Sequence, residues 1–157
     1  VGDQVALYLY TLGAHERRCD RSRVMQENRR ACLDTVERMA DYLRPQFTGL
    51  RQETAVLLCL DAGRRPISCD VLCRGAVSAS EVSVHSINEL AVRHKADTVV
   101  LAHNHPRGPA RPSQADIQTT VQLRALLRGV GVALVEHLIF GEQDFVSLAE
   151  CGFFTEY

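Results

Sequence analysis

The sequence predicts a mixed α/β domain, an α+β arrangement in which helices pack on one mixed sheet. Three observations predict it. The hydrophobic period changes from helical spacing before Pro45 to strand-like apolar runs from Glu53 onward. The elements then follow the order helix, helix, hairpin, helix, strand, helix, hairpin, which suits a sheet covered by helices. The composition, 46% hydrophobic and 24% charged over 157 residues, is that of a globular chain with enough apolar side chains for a core.

Each element has a local reason. The opening "VGDQVALYLYTLG" spaces Val5, Leu7, Leu9 and Leu12 as a short helix with Asp3 as N-cap. In "HERRCDRSRVMQENRR" arginines outnumber acids, a pattern more common in a solvated linker than in a phosphate contact. "NRRACLDTVERMADYLRP" carries Leu33, Val36, Ala40 and Leu43 on a helical stripe that Pro45 closes. "ETAVLLCLDAGRRPISCDVLCRGAV" is a β-hairpin, two apolar runs split by "DAGRR" with Gly63 in the turn. "SINELAVRHKA" reads as a short helix, and "DTVVLA" as a strand buried on both faces. In "SQADIQTTVQLRALLRGVG" Ile117, Val121, Leu123 and Leu127 fall on or near one helical stripe that ends at Gly129 and Gly131. "VALVEHLIF" and "DFVSLAE" form a last strand pair around "GEQ".

Bulk properties exclude several function classes. A net charge of -1 gives the molecule no long-range pull on nucleic acid. No apolar run approaches the roughly 20 residues that cross a bilayer, so no membrane partner is expected. The first residue is Val1 and no secretory leader follows it, which suggests a piece of a longer intracellular protein. Six cysteines are present, none in a C-x-x-C pair, and Cys59, Cys69 and Cys73 fall in apolar runs. Buried free thiols suit a reducing cytoplasm, and no cysteine is assigned a metal or catalytic role.

The chemistry concentrates in "AHNHPRGPARPSQAD", residues 102 to 116. His103 and His105 are two positions apart where a strand runs out, which points both rings to one face about 6–7 Å apart along the backbone. Two imidazole nitrogens can then converge on one ion at about 2.0–2.1 Å. Asp116 is the natural third ligand, and Pro106, Pro109 and Pro112 stiffen the loop that returns it to the histidines. Catalytic zinc commonly keeps three protein ligands and leaves a fourth position to water. Ser113 and Asp116 also fit a capping box, S-x-x-[DE], which needs no metal. Glu53 begins the first hairpin strand, and strand ends deliver side chains into clefts. A carboxylate there could take a proton from the attacking water and return it to a leaving amine. Its plain alternative is an exposed acid at a strand start.

Glu53, then H-N-H-P, seven residues from Pro106 to Pro112, then S-x-x-D, resembles the JAMM (MPN-plus) metalloprotease signature. More narrowly, "LLCLDAGRRPI", "GAVSASEV", "VVLAHNHPRG", "PSQADI", "EHLIF" and "FVSLAECGF" are similar, in order, to segments of the bacterial RadC family, which carries a DNA repair label. The resemblance spans roughly residues 45 to 154. It implies the JAMM fold, related to cytidine deaminases, a curved mixed β-sheet flanked by helices with the metal at the sheet edge. It also implies roles: His103, His105 and Asp116 as Zn2+ ligands, Glu53 as general base and acid, and Ser113 as hydrogen-bond donor to the oxyanion. A helix N-terminus suits that last role, because its free N–H groups favour negative charge. Three positions depart from the family pattern: His85 replaces an arginine, Glu136-His137 replaces Asp-His, and Arg107 replaces a serine. His137 reads as a hydrogen-bonded core residue rather than a further ligand.

The resemblance also divides the chain. Residues 1–27 look like the remnant of a helix-hairpin-helix region plus linker, and 28–157 like the RadC/JAMM metal-hydrolase domain. The expected function is zinc-dependent hydrolysis of a peptide or isopeptide bond in a peptide or protein substrate. Two alternatives stand beside it. One is a nucleic-acid-binding or metal-dependent nuclease protein of DNA repair, reaching DNA through the helix-hairpin-helix region; the other is a catalytically silent scaffold.

Overall fold

The structure is a computed structural model that describes residues 30–75 and 84–154. The predicted first helix with its Asp3 cap, the helix-hairpin-helix remnant and most of the arginine-rich linker lie outside the described residues. All elements below belong to the unit Cys32–Tyr157.

Helix α1 spans Val36–Phe47, with the Thr35 hydroxyl accepting the Arg38 N–H at 3.3 Å as N-cap. Leu33 is buried but precedes the helix, tied in by its N–H to the Arg64 carbonyl at 2.8 Å. Pro45 does not close α1, which runs two residues further. Proline in the last turn forfeits one helical hydrogen bond. Burial of Phe47, whose ring lies 4.9 Å from that of Phe140, holds the final turn in place.

The hairpin is present as β1 (Thr54–Leu60) and β2 (Pro66–Arg74), paired antiparallel. Gly63 lies in its turn, as predicted. Arg64, not Gly63, takes the left-handed conformation, with φ 58°. The Asp61 carboxylate holds this strained turn by accepting the N–H groups of Gly63 at 2.9 Å and Arg65 at 2.8 Å.

Helix α2 (Val84–Arg93) leads to β3 (Thr98–Asn104), then α3 (Gln114–Gly129), β4 (Ala133–Phe140) and β5 (Phe145–Ser147). The strands form one five-stranded sheet in the order β2-β1-β3-β4-β5. The β3–β4 pair is parallel and the others are antiparallel, so the sheet is mixed, as predicted. Strand β3 lies between β1 and β4, which explains its unbroken apolar run.

Two cores cover the two faces of the sheet. Leu57, Cys59, Val99 and Leu101 pack with Ile87 and Ala91 of α2 and Leu123 and Leu127 of α3. On the other face Val56, Leu58, Val100, Ala102 and Leu138 pack with Met39, Ala40 and Leu43 of α1. Alternation along β3 therefore sends residues 99, 101 and 103 toward α3, and 100, 102 and 104 toward α1.

The inward stripe of α3 differs from the prediction. Asp116, Thr120, Leu123 and Leu127 are buried, whereas Val121 is 53% exposed. The two polar residues among them, Asp116 and Thr120, are hydrogen-bonded in their inward places. The helix stops where predicted, with Gly131 at φ 78° accommodating the reversal. In the β4–β5 turn, a Cβ on Gly141 would come within 2.8 Å of the Ala110 N, so only glycine lets this turn meet the loop after His105. No helix among the described residues is long and apolar enough to cross a membrane.

Candidate metal centre

The crossover β3–α3–β4 starts its helix at the carboxyl end of β3, which is where it brings the predicted residues together. His103 is the penultimate residue of β3, in register with Ala55 of β1 and Ile139 of β4. His105 follows the strand, anchored by its N–H to the Phe140 carbonyl at 2.7 Å. Asp116 stands in the first turn of α3, 5% exposed. One ligand atom from each of His103, His105 and Asp116 falls within 4.8 Å of the other two. The group sits at the carboxyl end of the sheet's central strand, which the strand order encloses between β1 and β4.

The donor set fits a cation. The Nε2 atoms of His103 and His105 face each other at 3.2 Å, and Asp116 Oδ1 is 3.5 Å from His103 Nε2. His105 Nδ1 faces the Pro109 carbonyl at 3.3 Å. A carbonyl only accepts, so Nδ1 carries a proton, and the tautomer with its proton there has its lone pair on Nε2. Two imidazoles and a carboxylate meeting at one point are a ligand set for zinc or another divalent transition ion. Burial, opposed by the Asp116 carboxylate and aided by the neighbouring His105, holds the His103 pKa down at about 4. Its ring is therefore neutral, and available as a ligand, at ordinary pH.

Ser113 and Asp116 form the complete capping box and still leave the site intact. Asp116 Oδ2 accepts both the N–H and the hydroxyl of Ser113, each at 2.7 Å, while the Ser113 oxygen accepts the Asp116 N–H at 3.1 Å. Oδ1 is the oxygen directed at His103. The capping box therefore uses Oδ2 and leaves Oδ1 open toward the two histidines. The one hydroxyl proton of Ser113 is committed to Asp116 in this arrangement.

Glu53 lies outside the group of three, half-buried just before β1. Strand pleating puts it on the face of Ala55, which is level with His103. Asn104, the middle residue of H-N-H, fixes that position. Its Oδ1 accepts the Thr54 N–H at 2.7 Å and its Nδ2 donates to the Gln52 carbonyl at 3.2 Å, clamping the backbone on both sides of Glu53. Sequence reasoning missed this residue. The available signal was a polar side chain ending an apolar strand, on the face opposite the histidines.

A second missed feature lies behind His103. Its Nδ1 is 2.9 Å from Nε2 of His137, which is fully buried, and the Thr120 hydroxyl is 2.6 Å from His137 Nδ1. His137 is a hydrogen-bonded core residue, as predicted, and burial with the two neighbouring imidazoles pushes its pKa well below the ordinary value. The adjacent Glu136 is also buried and accepts from the His137 N–H, the Ser147 hydroxyl and the Ala149 N–H. It ties β4 to β5 and does not reach the site. His85 and Arg107 are both exposed.

Residues 33–153 match the RadC-like JAB domain family. The chain belongs to that family. A UPF0758 protein of Staphylococcus aureus (strain NCTC 8325 / PS 47) is 36% identical over 130 residues, covering 83% of this chain and 60% of the relative. A UPF0758 protein of Shewanella sp. (strain W3-18-1) is 37% identical over 132 residues, covering 83% of this chain and 59% of its own length. The chain therefore spans about 60% of the length of the curated relatives it matches. The RadC-like JAB match takes in β1 to β5 and all three His–His–Asp residues.

Proposed function

We propose that this RadC-like domain is a zinc-dependent hydrolase that cleaves a peptide or isopeptide bond. The carrying observation is the convergence of His103, His105 and Asp116 at the end of β3, beside a strand start that bears Glu53. In this reading those three residues hold Zn2+. The bound ion supplies Lewis acidity and lowers the pKa of water. Glu53 takes the proton of the attacking water and later gives it to the leaving amine. Ser113 donates to the oxyanion of the tetrahedral intermediate by turning its hydroxyl from Asp116 Oδ2, which keeps the Ser113 N–H. The substrate is a peptide or protein, and the setting is the cytoplasm, which the free thiols of Cys32, Cys59, Cys69, Cys73 and Cys151 support.

Metal analysis and substrate profiling test this reading together. The purified chain is expected to carry about one zinc ion, and His103→Ala to lose it. Glu53→Ala is expected to keep the metal while losing cleavage of a peptide library by about 100-fold or more. A full metal load in His103→Ala would overturn the ligand assignment. DNA nicking that disappears with Glu53→Ala, without any peptide cleavage, would replace the peptidase reading with the nuclease one.

A further inference from the structure

We infer that Thr120 is a positioning residue for the metal site: acting through His137, it fixes the His103 ring in the tautomer that leaves Nε2 bare. The inference rests on the metal reading above for its purpose, though not for its geometry.

The Thr120 hydroxyl oxygen lies 2.6 Å from the Asp116 backbone carbonyl and 2.6 Å from His137 Nδ1. A hydroxyl has a single proton, and a carbonyl oxygen can only accept. The Thr120 hydroxyl therefore donates its proton to the bond with the Asp116 carbonyl, the back-bond a threonine makes to the residue one helical turn earlier. His137 Nδ1 must then be the donor to Thr120. Within a fully buried, neutral imidazole, a proton on Nδ1 leaves Nε2 unprotonated. His137 Nε2 accordingly accepts the bond of 2.9 Å from His103 Nδ1–H. His103 is left with its lone pair on Nε2, the atom that faces His105 and Asp116. These tautomers are assigned from hydrogen-bond partners.

The same chain also joins two ligands mechanically. It runs from the Asp116 backbone on α3, through Thr120 and His137, to the His103 ring on β3. Besides the direct approach of Asp116 Oδ1 to His103 Nε2, the helix and the strand are thus linked through a relay of three hydrogen bonds. Outer partners of this kind set ligand orientation and tautomer, and their loss typically lowers metal affinity about 10–100-fold.

Thr120→Val removes the hydroxyl at nearly constant volume, and Thr120→Ser restores it. The first readout is imidazole 15N chemical shifts in the metal-free protein. The unmutated protein and Thr120→Ser are expected to show His103 protonated at Nδ1 only. In Thr120→Val the His137 proton loses its acceptor, moves to Nε2, and forces a protonated Nε2 on His103. The second readout is Zn2+ affinity by competition with a chromophoric chelator, expected to fall about 10–100-fold in Thr120→Val and to recover in Thr120→Ser. An unchanged His103 tautomer in Thr120→Val overturns the inference. Equal weakening in Thr120→Ser does too, since packing rather than the hydroxyl would then be responsible. Should the unmutated protein bind no Zn2+, the metal reading fails, while the shifts, recorded without metal, still decide the relay.

Discussion

Asn104 shows how much a single side chain can arrange from a position that carries no chemistry itself. It bonds to Thr54 and Gln52 across a separation of 50 residues or more, and so sets where Glu53 emerges. Asn104→Leu keeps the volume but leaves the buried Thr54 N–H without its acceptor, a loss of about 1–3 kcal/mol. Denaturant melts should show that cost, and peptide cleavage should fall while the bound metal does not. Normal cleavage in a folded Asn104→Leu would show that Glu53 is positioned by other means. His103, His105, Ser113 and Asp116 were legible in the sequence because their spacing is local and their residue types are restrictive. Asn104 and Thr120 were not, because their partners are distant in the chain and neither residue type implies a partner.

Among the elements, β3 and its buried neighbours follow directly from the apolar runs, whereas α3 shows where periodicity misleads. Hydrophobicity assigned Val121 to the inner face, yet that face is defined by Asp116, Thr120, Leu123 and Leu127. A helix that builds a site spends inward positions on polar groups, and its apolar stripe rotates accordingly. Val121→Lys should change stability by no more than about 0.5 kcal/mol. Leu123→Ala, by contrast, should cost about 2–5 kcal/mol through the cavity it leaves between α3 and the sheet. Chemical denaturation of the two variants checks both, and a comparable loss in each would mean that α3 is rotated from the face described. The passage of α1 beyond Pro45 has a related origin. The aromatic contact between Phe47 and Phe140 is tertiary, and local propensity contains no trace of it.

For the molecule as a whole, burying imidazoles in the core makes folding depend on pH. The His103 pKa drops from 6.5 to about 4 on folding because burial disfavours the charged ring. The unfolded chain thus binds more protons between these values, and stability rises with pH across them. This contribution is complete above about 6.5 and is lost as pH falls through about 4. His137 acts in the same direction. Glu136 acts in the other: burial raises its pKa, so its contribution is greatest below 4.5 and declines as pH rises. Melting of metal-free protein between pH 4 and 6.5 should show a rise with pH that flattens in His103→Gln and steepens in Glu136→Gln. No flattening in His103→Gln would mean that this ring is not kept neutral by folding.

The missing side chain at Gly141 reaches further than its turn. Because this hairpin tip abuts Ala110, it acts as a backstop for the segment that follows His105. Pro109 is the next residue back, and its carbonyl decides which His105 nitrogen carries the proton. A hydrogen atom in place of a methyl group on a remote hairpin thus helps determine which nitrogen His105 turns toward His103.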